Sequence, residues 1–324
     1  MNNDKVIGGF FELELQKKTG HYHLDAIQVN SGRNALKLLL HTLQPAKLYI
    51  PYYICSSVVN AVEECCIPYE QYYLDPMLYP TMTSPLPENE YLLYVNYFGV
   101  IDENVRHVSE MYDRRVIIDN TQAFYSKPSA GVYHTFYSPR KFFGVPDGGY
   151  IYSAANVKTP NEVDISYNRC EHLLSRAEEI LEGSYQLFQM NEKRIDHLPI
   201  KKMSCLTQRI LESIDYELIR ETRKSNFLFL HNYVKHHNHF SISIDHVYGP
   251  MIYPLLITNR GLREFLIANK VYVAKYWEDV TKKVPVDTFE YCLSQNLVPL
   301  PIDHRYNTTD MKYIADLIEK FLSY

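Results

Sequence analysis

The first half of the chain alternates between short apolar runs and helix-periodic stretches, and this order constrains the fold more than any single motif. KLYIPYYI (47–54), YEQYYL (69–74), YLLYVNYF (91–98), RRVIIDN (114–120), YHTFYS (133–138) and GYIYSA (149–154) read as strands. Between them, NALKLLLHTL (34–43), SSVVNAVEECC (56–66) and DENVRHVSEMYD (102–113) carry apolar residues at helical spacing. Ser56 and Ser57 are the candidate N-caps of the second helix. Several of the strands are apolar almost throughout. That is the pattern of a strand covered on both faces, whereas a half-wet antiparallel strand alternates. The expected class is therefore α/β, a mainly parallel central sheet covered by helices.

From about Val163 the character changes. Residues 166–195 and 204–234 are long, charged and helix-periodic, and the second stretch is a candidate spine between two domains. After it, MIYPLLIT (251–258), VYVAKYW (271–277) and VPLPID (298–303) read as strands. GLREFLIANK (261–270) and TDMKYIADLIEKFL (309–322) read as helices, the last capped by Thr308 or Thr309. A length of 324 residues accommodates two domains at roughly 150 residues each. The expected division is a large domain over 1–225 and a small C-terminal α+β domain over 226–324.

A net charge of −5 argues against a nucleic-acid surface. No apolar run reaches the roughly 20 residues that span a bilayer, and the start, MNNDKVIGGFFELEL, lacks a basic segment followed by an apolar one. The cysteines at 55, 65, 66, 170, 205 and 292 form no C-x-x-C and read as reduced thiols. A cytoplasmic protein without nucleic-acid or membrane partners is expected. The run HHNH (236–239) has no carboxylate or cysteine at ligand spacing in the sequence, so no metal site is expected there.

The chemistry concentrates in SPRKFFGVPDGGY (138–150). Lys141 is either a snorkelling side chain or a Schiff-base lysine whose amine is made nucleophilic by burial. Asp119 ends the apolar strand VIID, where the C-terminal edge of a parallel sheet delivers residues to a ligand crevice. It is either a turn cap or the acidic partner of a pyridine nitrogen, the expected protein contribution to pyridoxal phosphate chemistry. Gln122 follows three residues on, positioned to face the ring. Ser31-Gly32-Arg33-Asn34 opens a helix, where free N–H groups and the helix dipole favour an anion and Gly32 allows close approach. Ser138, three residues before Lys141, could reach the same phosphate.

In their common order these motifs resemble the DegT/StrS family of sugar aminotransferases, which have the fold type I architecture and use pyridoxal phosphate. SGRNALKLLL, IPYYICSSVVNAV, VIIDNTQAF, SPRKFFGVPDGGYIY, KKMSCLTQRILESIDYELIRETRKSNF and NLVPLPIDHRYNTTDMKYIADLIEKF are each similar to a family segment, and the match is collinear over almost the whole chain. The resemblance implies pyridoxal 5'-phosphate held as an internal aldimine on Lys141, with Lys141 as general base and acid and Asp119 stabilising the ring. It implies that Gly32, Arg33, Asn34 and Ser138 hold the phosphate. It also implies an amino donor such as glutamate, a keto group on a nucleotide-linked sugar as acceptor, and a homodimer. Where the family stacks an aromatic on the ring this chain has Cys55, with Tyr52 or Tyr53 as substitutes. Where the family has an asparagine lent to the neighbouring subunit's phosphate, this chain has Ile200 beside Lys201 and Lys202. Arg140 has no counterpart: on a strand it would face away from Lys141, and on a loop it could share the pocket. Elimination or dehydration on the same scaffold, or a non-catalytic relative, remain the alternatives to transamination.

Overall fold

The computed structural model describes residues 7–18, 20–82, 85–113, 115–128, 134–258 and 261–323. In chain order the large unit contains β1 (Ile27–Val29), α1 (Gly32–Leu43), β2 (Lys47–Pro51), α2 (Ser56–Glu64), β3 (Tyr69–Tyr72), β4 (Glu90–Val95), α3 (Asp102–Met111), β5 (Val116–Asp119), β6 (His134–Tyr137) and β7 (Gly149–Ser153). Four helices follow: α4 (Glu171–Ala177), α5 (Ser184–Asp196), α6 (Cys205–Glu212) and α7 (Tyr216–Val234). The chain closes with β8 (Ile252–Leu256), α8 (Leu262–Ala268), α9 (Phe289–Asn296), β9 (Leu297–Pro301) and α10 (Thr308–Leu322).

The sheet order is β1-β7-β6-β5-β4-β2-β3. Strands β3, β2, β4, β5 and β6 run parallel, and β7 is antiparallel to both β6 and β1. The expected mainly parallel sheet is thus present, with one reversed strand. The inner strands explain their apolar sequence: β5 and β6 are buried at every position. In the smaller unit β8 pairs with β9 antiparallel and packs on α7, and α10 packs against α7 and α8. The boundary expected between 225 and 226 falls inside α7, whose buried stripe includes Arg223, Asn226, Phe227 and Leu230.

Several elements differ from the sequence reading. The stretch 166–195 is not one helix: Glu179 and Gly183 take φ of 59° and 76°, left-handed values that end α4 and precede α5. The stretch 204–234 breaks after α6, where the Asp215 carboxylate accepts a hydrogen bond from Leu218 N and starts α7 afresh. Cys55, not Ser56 or Ser57, occupies the N-cap of α2, and its side chain makes no capping bond. Asn307, not Thr308 or Thr309, caps α10, in a capping box with Asp310. Residues 271–277 form no strand. Val271 and Val273 are buried there without a ladder partner, so apolar burial alone produced the strand-like pattern. Strand β1 is too short, at three residues, to have been read as one. No helix among the described residues is long and apolar enough to cross a membrane.

Candidate active site

The C-terminal ends of β4, β5 and β6 open onto a cavity of about 210 Å³. Its lining joins segments that are far apart in sequence: Gly32 and Arg33 from α1, Cys55 before α2, Asp119 at the end of β5 with Gln122 after it, and Ser138, Arg140 and Lys141 after β6. This is where an open α/β sheet presents residues from several strand ends to one ligand.

Asp119 is the last residue of β5 and only 3% exposed. Its Oδ1 accepts a hydrogen bond from Thr121 N at 2.8 Å. Burial raises its pKa, and the opposing pull of Lys141 and Thr121 is smaller. A carboxylate held this way gains from a partner that brings a proton. Gln122, the residue after Thr121, is buried, and its Oε1 accepts from Phe98 N at 2.8 Å. That bond fixes the carboxamide plane at the cavity wall.

Residues Pro139–Lys141 form a single 3-10 turn. A turn, unlike a strand, lets Arg140 and Lys141 both reach the cavity. Lys141 is solvent-exposed rather than buried among the strands, and its Nζ donates to Thr121 Oγ1 at 2.9 Å. One threonine therefore connects the two groups, through its backbone N–H to Asp119 and its hydroxyl to Lys141. Phe142, next in the chain, is held by Arg223 of α7. That guanidinium lies 4.7 Å from the Phe142 ring centroid and donates to the Phe142, Pro250 and Met251 carbonyls at 3.4, 3.2 and 3.1 Å. It is 2% exposed, and burial lowers its pKa to about 10.

Two glycines let the lysine turn close on α1. Gly148 has φ of 123°, and its N–H donates to Asn30 O at 2.9 Å. A Cβ on Gly149 would stand 2.5 Å from the Ser31 carbonyl oxygen, so only glycine lets β7 pass this close. Ser31 caps α1, its Oγ accepting from Asn34 N at 3.0 Å. The cavity-facing N–H groups of the first turn remain the anion-attracting end of the helix.

Of the nine residues expected at the site, Gly32, Arg33, Cys55, Asp119, Gln122, Ser138 and Lys141 line this one cavity. Asn34 and Tyr53 do not. The Asn34 amide turns away and donates to Asn30 Oδ1 and to the Leu198 and Pro199 carbonyls, tying the helix start to a later loop. The Tyr53 ring is fully buried behind Trp277, with centroids 4.6 Å apart at a T-shaped angle. Trp277, the only tryptophan, lines the cavity together with Phe136 of β6. Lys201 and Lys202 lie elsewhere: Lys201 pairs with Glu162 at 2.7 Å. Sequence reasoning missed Thr121, Trp277 and two acids of α5. Glu192 pairs with Arg140, and Asp196 pairs with Arg33 at 2.8 Å. The alternating Arg-Lys and Glu-Asp content of these segments carried no signal of pairing across more than 50 positions, since only the fold brings α5 over the cavity.

Comparison with known proteins gives a consistent architecture. No family model matches the chain, and no curated protein sequence matches it. Solved structures do match in shape. An aminotransferase of the DegT/DnrJ/EryC1/StrS group from Brucella abortus superposes with a TM-score of 0.62 at 16% identity, covering 91% of this chain and 85% of that one. The aminotransferase TlmJ from Streptoalloteichus hindustanus gives 0.66 at 12% identity, covering 92% and 86%. The putative sugar aminotransferase Spr1654 from Streptococcus pneumoniae, solved in its PLP form, gives 0.59 at 12% identity, covering 91% and 87%. The chain therefore has the fold type I architecture of these transferases.

Proposed function

We propose that the cavity binds pyridoxal 5'-phosphate through Lys141, and that the chain is an aminotransferase moving an amino group from a donor such as glutamate to the keto carbon of a nucleotide-linked sugar. One observation carries this reading: a buried Asp119, Gln122, Lys141 and the N-terminus of α1 converge on one cavity at the strand ends.

The residues fit the cofactor. Asp119, whose carboxylate is desolvated, would hold a proton on the ring nitrogen. The first turn of α1, with Arg33 and Ser138, would hold the phosphate. Trp277 supplies an aromatic face beside Cys55. When bound, pyridoxal phosphate supplies an electron sink for the pair left at Cα of the amino donor. Lys141 Nζ is then the base for the Cα proton, and Thr121 Oγ1 orients that amine. Arg33 and Arg140 are held by Asp196 and Glu192, so an incoming phosphate competes with two carboxylates for them.

The nature of the acceptor rests on the relatives of like fold, described as sugar aminotransferases, one of them solved in PLP and PMP forms. A homodimer is supported by the apolar side chains that the segment around α4 and α5 exposes: Ile165, Tyr167, Leu181, Tyr185 and Phe188 are all more than 40% exposed. An unpaired apolar surface of this kind next to a candidate site favours a partner subunit. We place the protein in the cytoplasm on its reduced cysteines.

Adding glutamate to the pyridoxal phosphate-loaded protein tests the activity. Conversion of the bound aldehyde form to the amine form, with release of 2-oxoglutarate, is expected. A loaded protein that holds the cofactor but never makes this conversion would instead be carrying out elimination or dehydration, or only binding.

A further inference from the structure

The histidine run that the candidate site leaves unused acquires a partner only in three dimensions. His236 and His237 lie in a 3-10 turn, Lys235–His237, at the end of α7. Glu319 lies on α10, more than 80 positions away in sequence, and its Oε1 is 3.2 Å from His237 Nε2 and 3.6 Å from His236 Nε2. All three donor atoms fall within 4.8 Å of one another. None of the three residues lines the cavity described above.

The two distances differ in kind. At 3.2 Å, His237 hydrogen-bonds to the carboxylate. At 3.6 Å, His236 is too far for a hydrogen bond yet its ring is crowded against that of His237, with centroids 3.9 Å apart. A second imidazole brought to the same oxygen without a hydrogen bond gains little from it. A shared cation would account for all three. With metal–ligand bonds of about 2.0–2.2 Å, the edges of a tetrahedron are about 3.3–3.6 Å long, within about 0.1 Å of the two nitrogen–oxygen distances, 3.2 and 3.6 Å. Two imidazoles and one carboxylate form a donor set typical of zinc, with a fourth position left for water.

We propose that His236, His237 and Glu319 form a binding site for Zn2+ or a similar first-row divalent ion. The ion would fasten the end of α7 to the C-terminal helix α10, inside the smaller unit and apart from the chemistry of the cavity. His239, the third histidine of the run, is not part of the cluster.

Titration of the chelator-stripped, thiol-reduced full-length protein with ZnCl2 by calorimetry tests this. One saturable site per chain is expected, with affinity falling by about 10-fold or more in H236A, in H237A and in E319Q. Asp316, one turn earlier on α10, is already paired with Lys312 at 2.9 Å, so D316N should bind as the unsubstituted protein does. A second readout is thermal: zinc should raise the melting temperature of the unsubstituted protein and leave that of H236A unchanged. The proposal is overturned by the absence of saturable binding. It is equally overturned if any one of the three variants binds zinc as tightly as the unsubstituted protein, because the ion then sits on other histidines or on thiols.

Discussion

The floor and the roof of the cavity are built on different physics. The floor consists of strand ends and their loops: Asp119, Thr121 and Gln122 are buried, and hydrogen bonds to backbone groups fix them. Beneath it lie His23, Phe124, Tyr137 and Tyr150 in one aromatic cluster. The roof is helix α5. It reaches the cavity through two ion pairs, Arg33 with Asp196 and Arg140 with Glu192, in which each carboxylate is more than 40% exposed. Its outer side presents apolar residues to solvent. A buried polar network is expensive to rearrange, whereas partly exposed pairs contribute little net stability and exchange partners readily. The floor is thus suited to holding a reacting group in one place. The roof is suited to yielding when an anion or a second subunit arrives.

This contrast predicts that substitutions in the floor change chemistry or folding, and substitutions in the roof change affinity. The largest effect belongs to Lys141. Lys141→Ala should slow the glutamate half-reaction by about 10^4-fold, measured as the change in cofactor absorbance, while cofactor still binds. A small loss would mean that another base acts.

Asp119→Asn should reduce the same rate by about 10^2–10^3-fold. Its effect on stability has the opposite sign. The folded pKa of Asp119 is raised by burial, so its ionised form disfavours the fold, and that penalty develops as pH rises from the unfolded value through the folded one. The asparagine variant, free of cofactor, should therefore melt higher than the unsubstituted protein at neutral pH. A lower melting temperature would mean that the carboxylate is satisfied where it stands.

His23 tests the lower layer of the floor. Its pKa falls from 6.5 to about 4, chiefly through burial. A histidine kept neutral in the fold contributes its stability fully above the unfolded value, and that stability is lost as pH falls from there toward the folded one. About 3 kcal/mol should disappear across that window, seen as a shift in the urea midpoint. In His23→Gln the dependence should flatten. An unchanged profile would assign the acid sensitivity to other groups, His134 among them, since its pKa is also lowered to about 4.

The smallest effect belongs to the roof. Glu192→Gln frees Arg140 for an incoming phosphate and should tighten pyridoxal phosphate binding several-fold, roughly 1 kcal/mol, in an equilibrium titration. Weaker binding would make Glu192 a contact that supports the site, and the roof would then resemble the floor.

The same division decided how much was legible in the sequence. Floor residues other than Thr121 announced themselves because strand ends are marked by apolar runs: VII before Asp119, and the Gly-Gly pair after Lys141. The parallel sheet was legible for the same reason. The roof was not. Its ion pairs join α5 to α1 and to the lysine turn, and a charge-rich helix reads alike whether it faces solvent or a cavity. Tyr53 was expected near the ring because it stands close to Cys55. The fold instead buries it behind Trp277, which belongs to the run at 271–277 misread as a strand. Asn34 was assigned to an anion by its place at a helix start, but its amide is occupied by the carbonyls of Leu198 and Pro199. Local pattern locates a helix end, and only tertiary contacts decide which way its side chains turn.

The central claim is that Lys141 is the point of attachment for the cofactor. Incubating the protein with pyridoxal phosphate, reducing with borohydride and mapping the modified peptide by mass spectrometry measures it directly. The account predicts one phosphopyridoxyl group per chain, on Lys141 in the peptide that follows Arg140, and none in Lys141→Ala. Labelling spread over surface lysines, or unchanged in the alanine variant, would contradict it.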